Sequence, residues 1–256
     1  SAGESAVWLI MGTDFSGTLN IADLPIATIA DPQGDTVATL IAEDGLYIAG
    51  QPTYRPGLPA DGSSPELYPQ GGKVAVMGLL AGDYDSLSDA ARVEFSMDED
   101  AHLGAALSVG DFDGDGEQDI AMGAPAAEGG AGCVYLVSNL ASVIATGGAS
   151  TVSMVAVDAA AEASHALCGD SGTTGQGVAL GGDVDGDGVH DLLIAESGVD
   201  GVGVVWLVSG ALLEAAGDVA PSEVALLGIR AQYPSERLGH TMAMADLDGD
   251  GLDDLI

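Results

Sequence analysis

The chain has 256 residues, enough for one large domain or two small ones with an ample core. Forty acidic residues face five basic ones (Arg55, Lys73, Arg92, Arg230 and Arg237), a formal charge of −35 at pH 7. A chain so charged offers no basic patch to neutralise phosphates, which excludes a nucleic-acid partner, and its field repels an anionic membrane surface.

No run of about 18 apolar residues occurs, so no membrane insertion is expected. The short apolar stretch from Ser5 to Met11 has no basic segment before it and reads as no signal peptide; the sequence is expected to be a processed or excised piece. Residues 7–10 and 26–30 read as strands, followed by 36–41 and 45–52 with Glu43 and Asp44 between them. A long proline-rich connection, 51–70, then carries Tyr54, Arg55 and Tyr68. Long loops on rigid scaffolds are where binding usually resides, and Tyr and Arg dominate binding hot spots, so these three are the candidate ligand-binding residues. Strands at 74–76 and 92–97 follow.

Three stretches beyond this point share one spelling: Asp111-Phe-Asp113-Gly-Asp115-Gly-Glu117-Gln-Asp119, Asp183-Val-Asp185-Gly-Asp187-Gly-Val189-His-Asp191 and Asp246-Leu-Asp248-Gly-Asp250-Gly-Leu252-Asp-Asp254. Carboxylates at positions 1, 3, 5 and 9, with the backbone carbonyl of Glu117, Val189 or Leu252 at position 7, can surround a hard cation with oxygens at about 2.3–2.6 Å, the ligand set Ca²⁺ favours. Position 6 is Gly116, Gly188 or Gly251, where the chain must double back. About three calcium ions are therefore expected, and none at the degenerate Glu43-Asp44 turn. An EF-hand would need a carboxylate at position 12 and flanking helices, but Met122 and Ile194 stand there, inside short apolar runs that read as buried strands.

The loops belong to a larger repeat. Residues 7–10, 74–76, 134–137 and 204–208 are equivalent strands spaced about 60 to 71 residues apart. Each repeat reads as strand A before the loop, B after it, C at the valine-rich run and D beyond, with D strands expected at 92–97 and 152–157. Four short strands per repeat make one blade of a β-propeller. The expected fold is thus all-β with about four blade equivalents: a half blade (C and D) at 1–34, a blade with a degenerate metal loop at 35–100, blades at 101–160 and 161–222, and a half blade (A and B) at 223–256. The end halves are complementary, so two readings stand, an open fragment and a ring closed by the terminal half-blades; the stop within strand B favours the fragment.

Residues 110–125, ending in Gly123-Ala124-Pro125 and followed by Gly132-Cys-Val-Tyr-Leu-Val137, resemble the FG-GAP repeat of integrin alpha-chain propellers and their bacterial relatives. The Phe-Gly half is eroded to Leu103-Gly104 and Leu238-Gly239. The resemblance implies that the B-to-C and D-to-A connections face a ligand while the calcium loops lie on the opposite face.

Other residues read as structural. Gly169-Asp170-Ser171-Gly172 resembles the core of the trypsin-like serine protease signature, but Thr173-Thr174 follows and no upstream segment supplies a base, so no catalytic residue is assigned. His190, at loop position 8, is expected to face solvent; Trp8, Tyr135 and Trp206 are expected to pack between blades, and Met242 and Met244 to be core. Cys133 and Cys168 allow one disulfide at most, and two buried inert thiols are favoured. The function expected is an extracellular or cell-surface calcium-binding module for adhesion or recognition of a protein or glycan, without enzymatic activity. Its rivals are the propeller of a polysaccharide-active enzyme, which the scarcity of basic residues disfavours, and a structural subunit whose open ends pair with the rest of the chain or another copy.

Overall fold

A computed structural model describes residues 5–10, 26–31, 37–43, 46–55, 70–77, 83–84, 91–97, 100–146, 150–153, 163–170, 172–199, 202–214, 218–233 and 236–256. The strands in chain order are β1 (Ser5–Ile10), β2 (Ile26–Asp31), β3 (Thr39–Glu43), β4 (Leu46–Gln51), β5 (Lys73–Met77), β6 (Asp83–Tyr84), β7 (Ala91–Ser96), β8 (Ala106–Gly110), β9 (Asp119–Ala124), β10 (Cys133–Val137), β11 (Ser150–Ser153), β12 (His165–Cys168), β13 (Thr173–Gly182), β14 (Asp191–Val199), β15 (Val202–Val208), β16 (Ala225–Arg230), β17 (Met244–Ala245) and β18 (Asp254–Leu255).

Three antiparallel sheets repeat one order: β3-β4-β5-β7, β8-β9-β10-β12 and β13-β14-β15-β16. Each acidic loop joins the first strand of a sheet to the second, as the spacing predicts. The half-sheets β1-β2 and β17-β18 flank them in sequence. Among the described residues no pairing joins those halves, so the ring they could complete is not closed there.

Fourth strands differ from expectation: β16 completes the third sheet from within 223–256, the stretch read as the terminal half blade, and the middle sheet differs as well. The strand completing the middle sheet is β12, which pairs with β10 from Cys133↔Cys168 to Leu136↔His165, and not the stretch at 152–157. Ser150–Ser153 instead runs parallel to β7, at the outer edge of the preceding sheet. This arrangement recurs. β6 lies parallel to β2, and Val219 bridges in parallel to Leu167 of β12. In each repeat, then, the connection between third and fourth strands crosses to cover the outer edge of the sheet before it. An outer strand leaves a row of unpaired N–H and C=O groups, and a short crossing strand pairs part of them.

The core lies between successive sheets. Side chains alternate faces along a strand, so neighbouring residues serve different neighbours. Met122 and Tyr135 are buried against Ile48, Val74, Val76 and Phe95 of the first sheet. Ala121, Val134 and Leu136 face the other way, against Leu180, Leu192, Ile194 and Val208 of the third. The third sheet's opposite face, with Leu193, Val205 and Leu207, takes Leu238, Met242, Met244 and Leu255. Tyr135 and both methionines thus pack between sheets as expected, and Trp206 packs partly against the core between second and third sheets while its Nε1–H donates to Glu196 Oε2 at 2.7 Å. The side chain of Trp8 lies outside the described residues.

Cys133 and Cys168 stand directly opposite each other on β10 and β12 and form a disulfide, which corrects the expectation of two free thiols. Strand pairing brings their Cα atoms to 4.1 Å. The sequence conceals this because the partner strand is only four residues long, too short to show a periodicity.

Candidate metal centres

Each loop folds around its first aspartate. In the first, the Asp111 carboxylate accepts the N–H of Asp115 at 3.1 Å and of Gly116 at 2.9 Å, and Asp113 Oδ1 accepts the Asp115 N–H at 3.2 Å. In the second, Asp183 accepts from Gly186, Asp187 and Gly188 at 2.7, 3.1 and 3.0 Å. In the third, Asp246 accepts from Gly249, Asp250 and Gly251 at 2.7, 3.2 and 3.0 Å. The fifth residue then accepts from the seventh: Asp115 from Glu117 at 2.8 Å, Asp187 from Val189 at 2.9 Å, and Asp250 from Leu252 at 2.9 Å. These bonds require a tight coil, and the glycine at position 6 has φ of 87°, 87° and 92° in the three loops, a region that side chains with a Cβ rarely adopt.

The coil brings carboxylates together. Asp111, Asp113 and Asp115 each place an oxygen within 4.8 Å of the others, as do Asp183, Asp185 and Asp191, and Asp246, Asp248 and Asp250. Oxygens at that separation can share one cation with bonds of about 2.3–2.6 Å, and an all-oxygen donor set with three or four carboxylates suits calcium. The residues present therefore fit the ion the spacing predicts.

The ninth residue joins the carboxylate cluster only in the second loop, as Asp191, and in all three it ties backbone. Asp119 is buried, and its two oxygens accept the N–H of Phe112 at 2.9 Å and of Asn139 at 2.8 Å. Asp191, also buried, accepts from Val184 at 2.9 Å and Gly210 at 3.3 Å. In the third loop Asp254 accepts from Leu247 at 3.1 Å. The ninth carboxylate thus ties the loop's second residue, and in the first two loops it also ties the chain two residues past the third strand. Burial pushes the Asp119 carboxyl up to about 6; the N–H groups of Asn139 and Phe112 pull against this, while Asp113 and Asp111 add repulsion. Burial raises Asp191 to about 6 as well, opposed by Val184 and Gly210 and reinforced by Asp185 and Asp187. A bound cation would remove the cost of ionising both.

Sequence reasoning missed several contributors. Asn139 donates from Nδ2 to Asp115 Oδ2 at 2.8 Å, so it braces the first loop from outside. His190 does not face solvent: its Nδ1 accepts the Asp111 N–H at 2.9 Å, which corrects that expectation. A polar residue at position 8 of each loop (Gln118, His190, Asp253) was the available signal.

The ligand candidates lie elsewhere. Tyr54 is half-buried, with the Lys73 ammonium 4.1 Å from its ring centre and Lys73 paired to Glu94 at 3.5 Å. Its backbone is fixed by Tyr54 N–H to Gln51 O at 3.1 Å and Gly72 N–H to Tyr54 O at 3.0 Å. Arg55 is half-buried beside it, and Tyr68 lies outside the described residues, as do Asp44 and Ser171. At the strand ends away from the acidic loops, a cleft of about 660 Å³ is lined by Pro125, Gln176, Ser197, Val202, Arg237 and His240.

Residues 103–137, spanning β8, the first acidic loop, β9 and β10, match the FG-GAP repeat. No curated protein matches the chain.

Proposed function

We propose that the chain is a calcium-stiffened segment of a β-propeller that works outside the cell as a recognition or adhesion module for a protein or glycan. The observation that carries this reading is the threefold recurrence of one preorganised carboxylate coil, always between the first and second strands of a sheet. Bound ions cancel carboxylate repulsion at one end of the sheets, and the connections at the other end are left to bind. The disulfide supports an oxidising location, where such bonds persist. Tyr54 and Arg55, where the long connection leaves β4, and the cleft beside Arg237 lie at the strand ends away from the acidic loops, which supports placing recognition there. Among the described residues no strand pairs with the outer edge of β16, and its Leu226, Leu227 and Ile229 are exposed, which supports a strand-completing contact with more of the chain or with another copy.

The test is capture from a protein panel and a glycan array in calcium, run with the parent chain and with residues 53–70 replaced by a short Gly-Ser turn. Loss of capture on replacement supports the reading. Equal capture moves the binding site away from this loop, and cleavage of an arrayed glycan replaces the module with an enzyme.

A further inference from the structure

The eighth residue of the second and of the third acidic loop reaches the loop before it. His190 of the second loop accepts the Asp111 N–H on Nδ1 at 2.9 Å, and its own N–H donates to Asp111 O at 3.1 Å. Asp253 of the third loop accepts the Asp183 N–H on Oδ2 at 2.8 Å, and its own N–H donates to Asp183 O at 3.0 Å. Two chemically different side chains therefore make the same two-bond bracket, on the same residue of the preceding loop. The seventh residue adds packing: a methyl built on Gly114 would stand 3.0 Å from Val189, and one built on Gly186 would stand 2.8 Å from Leu252.

The bracketed residues, Asp111 and Asp183, are the ones whose carboxylates gather the amides of their own loops. The bracket fixes the backbone from which that carboxylate projects. The bracketing residue sits between the seventh, the backbone-carbonyl position of its own loop, and the ninth, a carboxylate that is buried in the second loop (Asp191) and exposed in the third (Asp254). An ion that orders residues seven to nine of one loop must therefore order the bracket on the loop before.

We propose that His190 and Asp253 are positioning residues that couple calcium occupancy between neighbouring loops, so that filling 183–191 raises the affinity of 111–119, and filling 246–254 raises that of 183–191. The proposal rests on the loops being calcium sites. Linkage makes the coupling reciprocal: each site strengthens its neighbour by the same factor.

The test is calcium titration of the metal-stripped full chain, read by nuclear magnetic resonance at the amides of Gly116, Gly188 and Gly251, one reporter per loop. Asp185→Ala, which disables the second loop, should lower the affinity read at Gly116 by about fivefold or more. In a His190→Ala background the first loop is already weakened, and adding Asp185→Ala should change it less than about twofold, below that coupling range. His190→Asn, which keeps an acceptor at the length Asp253 uses, should restore the sensitivity; a merely structural histidine would not give that pattern. If His190→Ala does not fold, Asp253→Ala with Asp248→Ala repeats the comparison, read at Gly188. An effect of Asp185→Ala at Gly116 that is absent, or equal with and without His190, overturns the coupling. Calcium-independent resonances at all three glycines overturn the calcium reading and the coupling with it.

Discussion

In the proposed calcium loops, Asp119 and Asp191 are the side chains that would link metal binding to folding. Each is buried, each ties backbone from two segments, and each has a carboxyl raised from 3.8 to about 6, chiefly by desolvation. A carboxyl raised in the folded state holds a proton that the unfolded chain has released. For these two groups the metal-free fold is therefore favoured below about pH 4, and that advantage is lost as pH rises through about 6. Calcium favours the ionised form, so loading at pH 6 should expel about half a proton from each of these two sites, and loading at pH 8 almost none. Calorimetry in buffers of different ionisation enthalpy measures this directly; equal proton release at both pH values would contradict the assignment. Asp119→Asn keeps the acceptor but loses the charge. It should weaken calcium at the first loop far more than at the third, as read at Gly116 and Gly251.

At the scale of elements, the loops were legible in the sequence and their surroundings were not, for a physical reason. A calcium coil is built from residues within nine positions, so its carboxylates and glycines appear in order along the chain. The pairing of β12 with β10 depends on residues 35 apart in sequence, and His165–Cys168 offers no alternation of apolar and polar residues to mark it. The more apolar stretch near Val152 reads as the better strand, and the disulfide is disfavoured with it. The brackets by His190 and Asp253 were hidden because a single repeat does not reveal what lies against it. The disulfide should matter for stability: closing a span of 35 residues contributes about 3–4 kcal/mol in the chain-entropy account. Cys133→Ser with Cys168→Ser should lower the denaturant midpoint accordingly, without changing the number of calcium ions bound. A midpoint unchanged by the double substitution would show that β12 is held by strand pairing and packing alone.

For the molecule as a whole, the repeat of sheets was legible because valine-rich strands recur at a fixed spacing, while closure was not, because complementary half-sheets are compatible with a ring, an arc or an assembly. The outer edge of β16, unpaired among the described residues, gives this a measurable form. If that edge takes a strand from another copy, sedimentation should show association that rises with concentration, and Leu227→Lys should suppress it; a monomer at every concentration would contradict that contact. Fourteen of the forty acidic residues sit in the three loops, so the fold concentrates repulsion that cations relieve. An ion bound only by the folded state adds about 2.7 kcal/mol per site at a hundredfold excess over Kd, so chelation should lower Tm clearly, and Mg²⁺ should restore it poorly. The most direct test of the central claim is calorimetric titration of the metal-stripped chain with calcium: the account predicts about three ions per chain, and a stoichiometry of zero or one would contradict it.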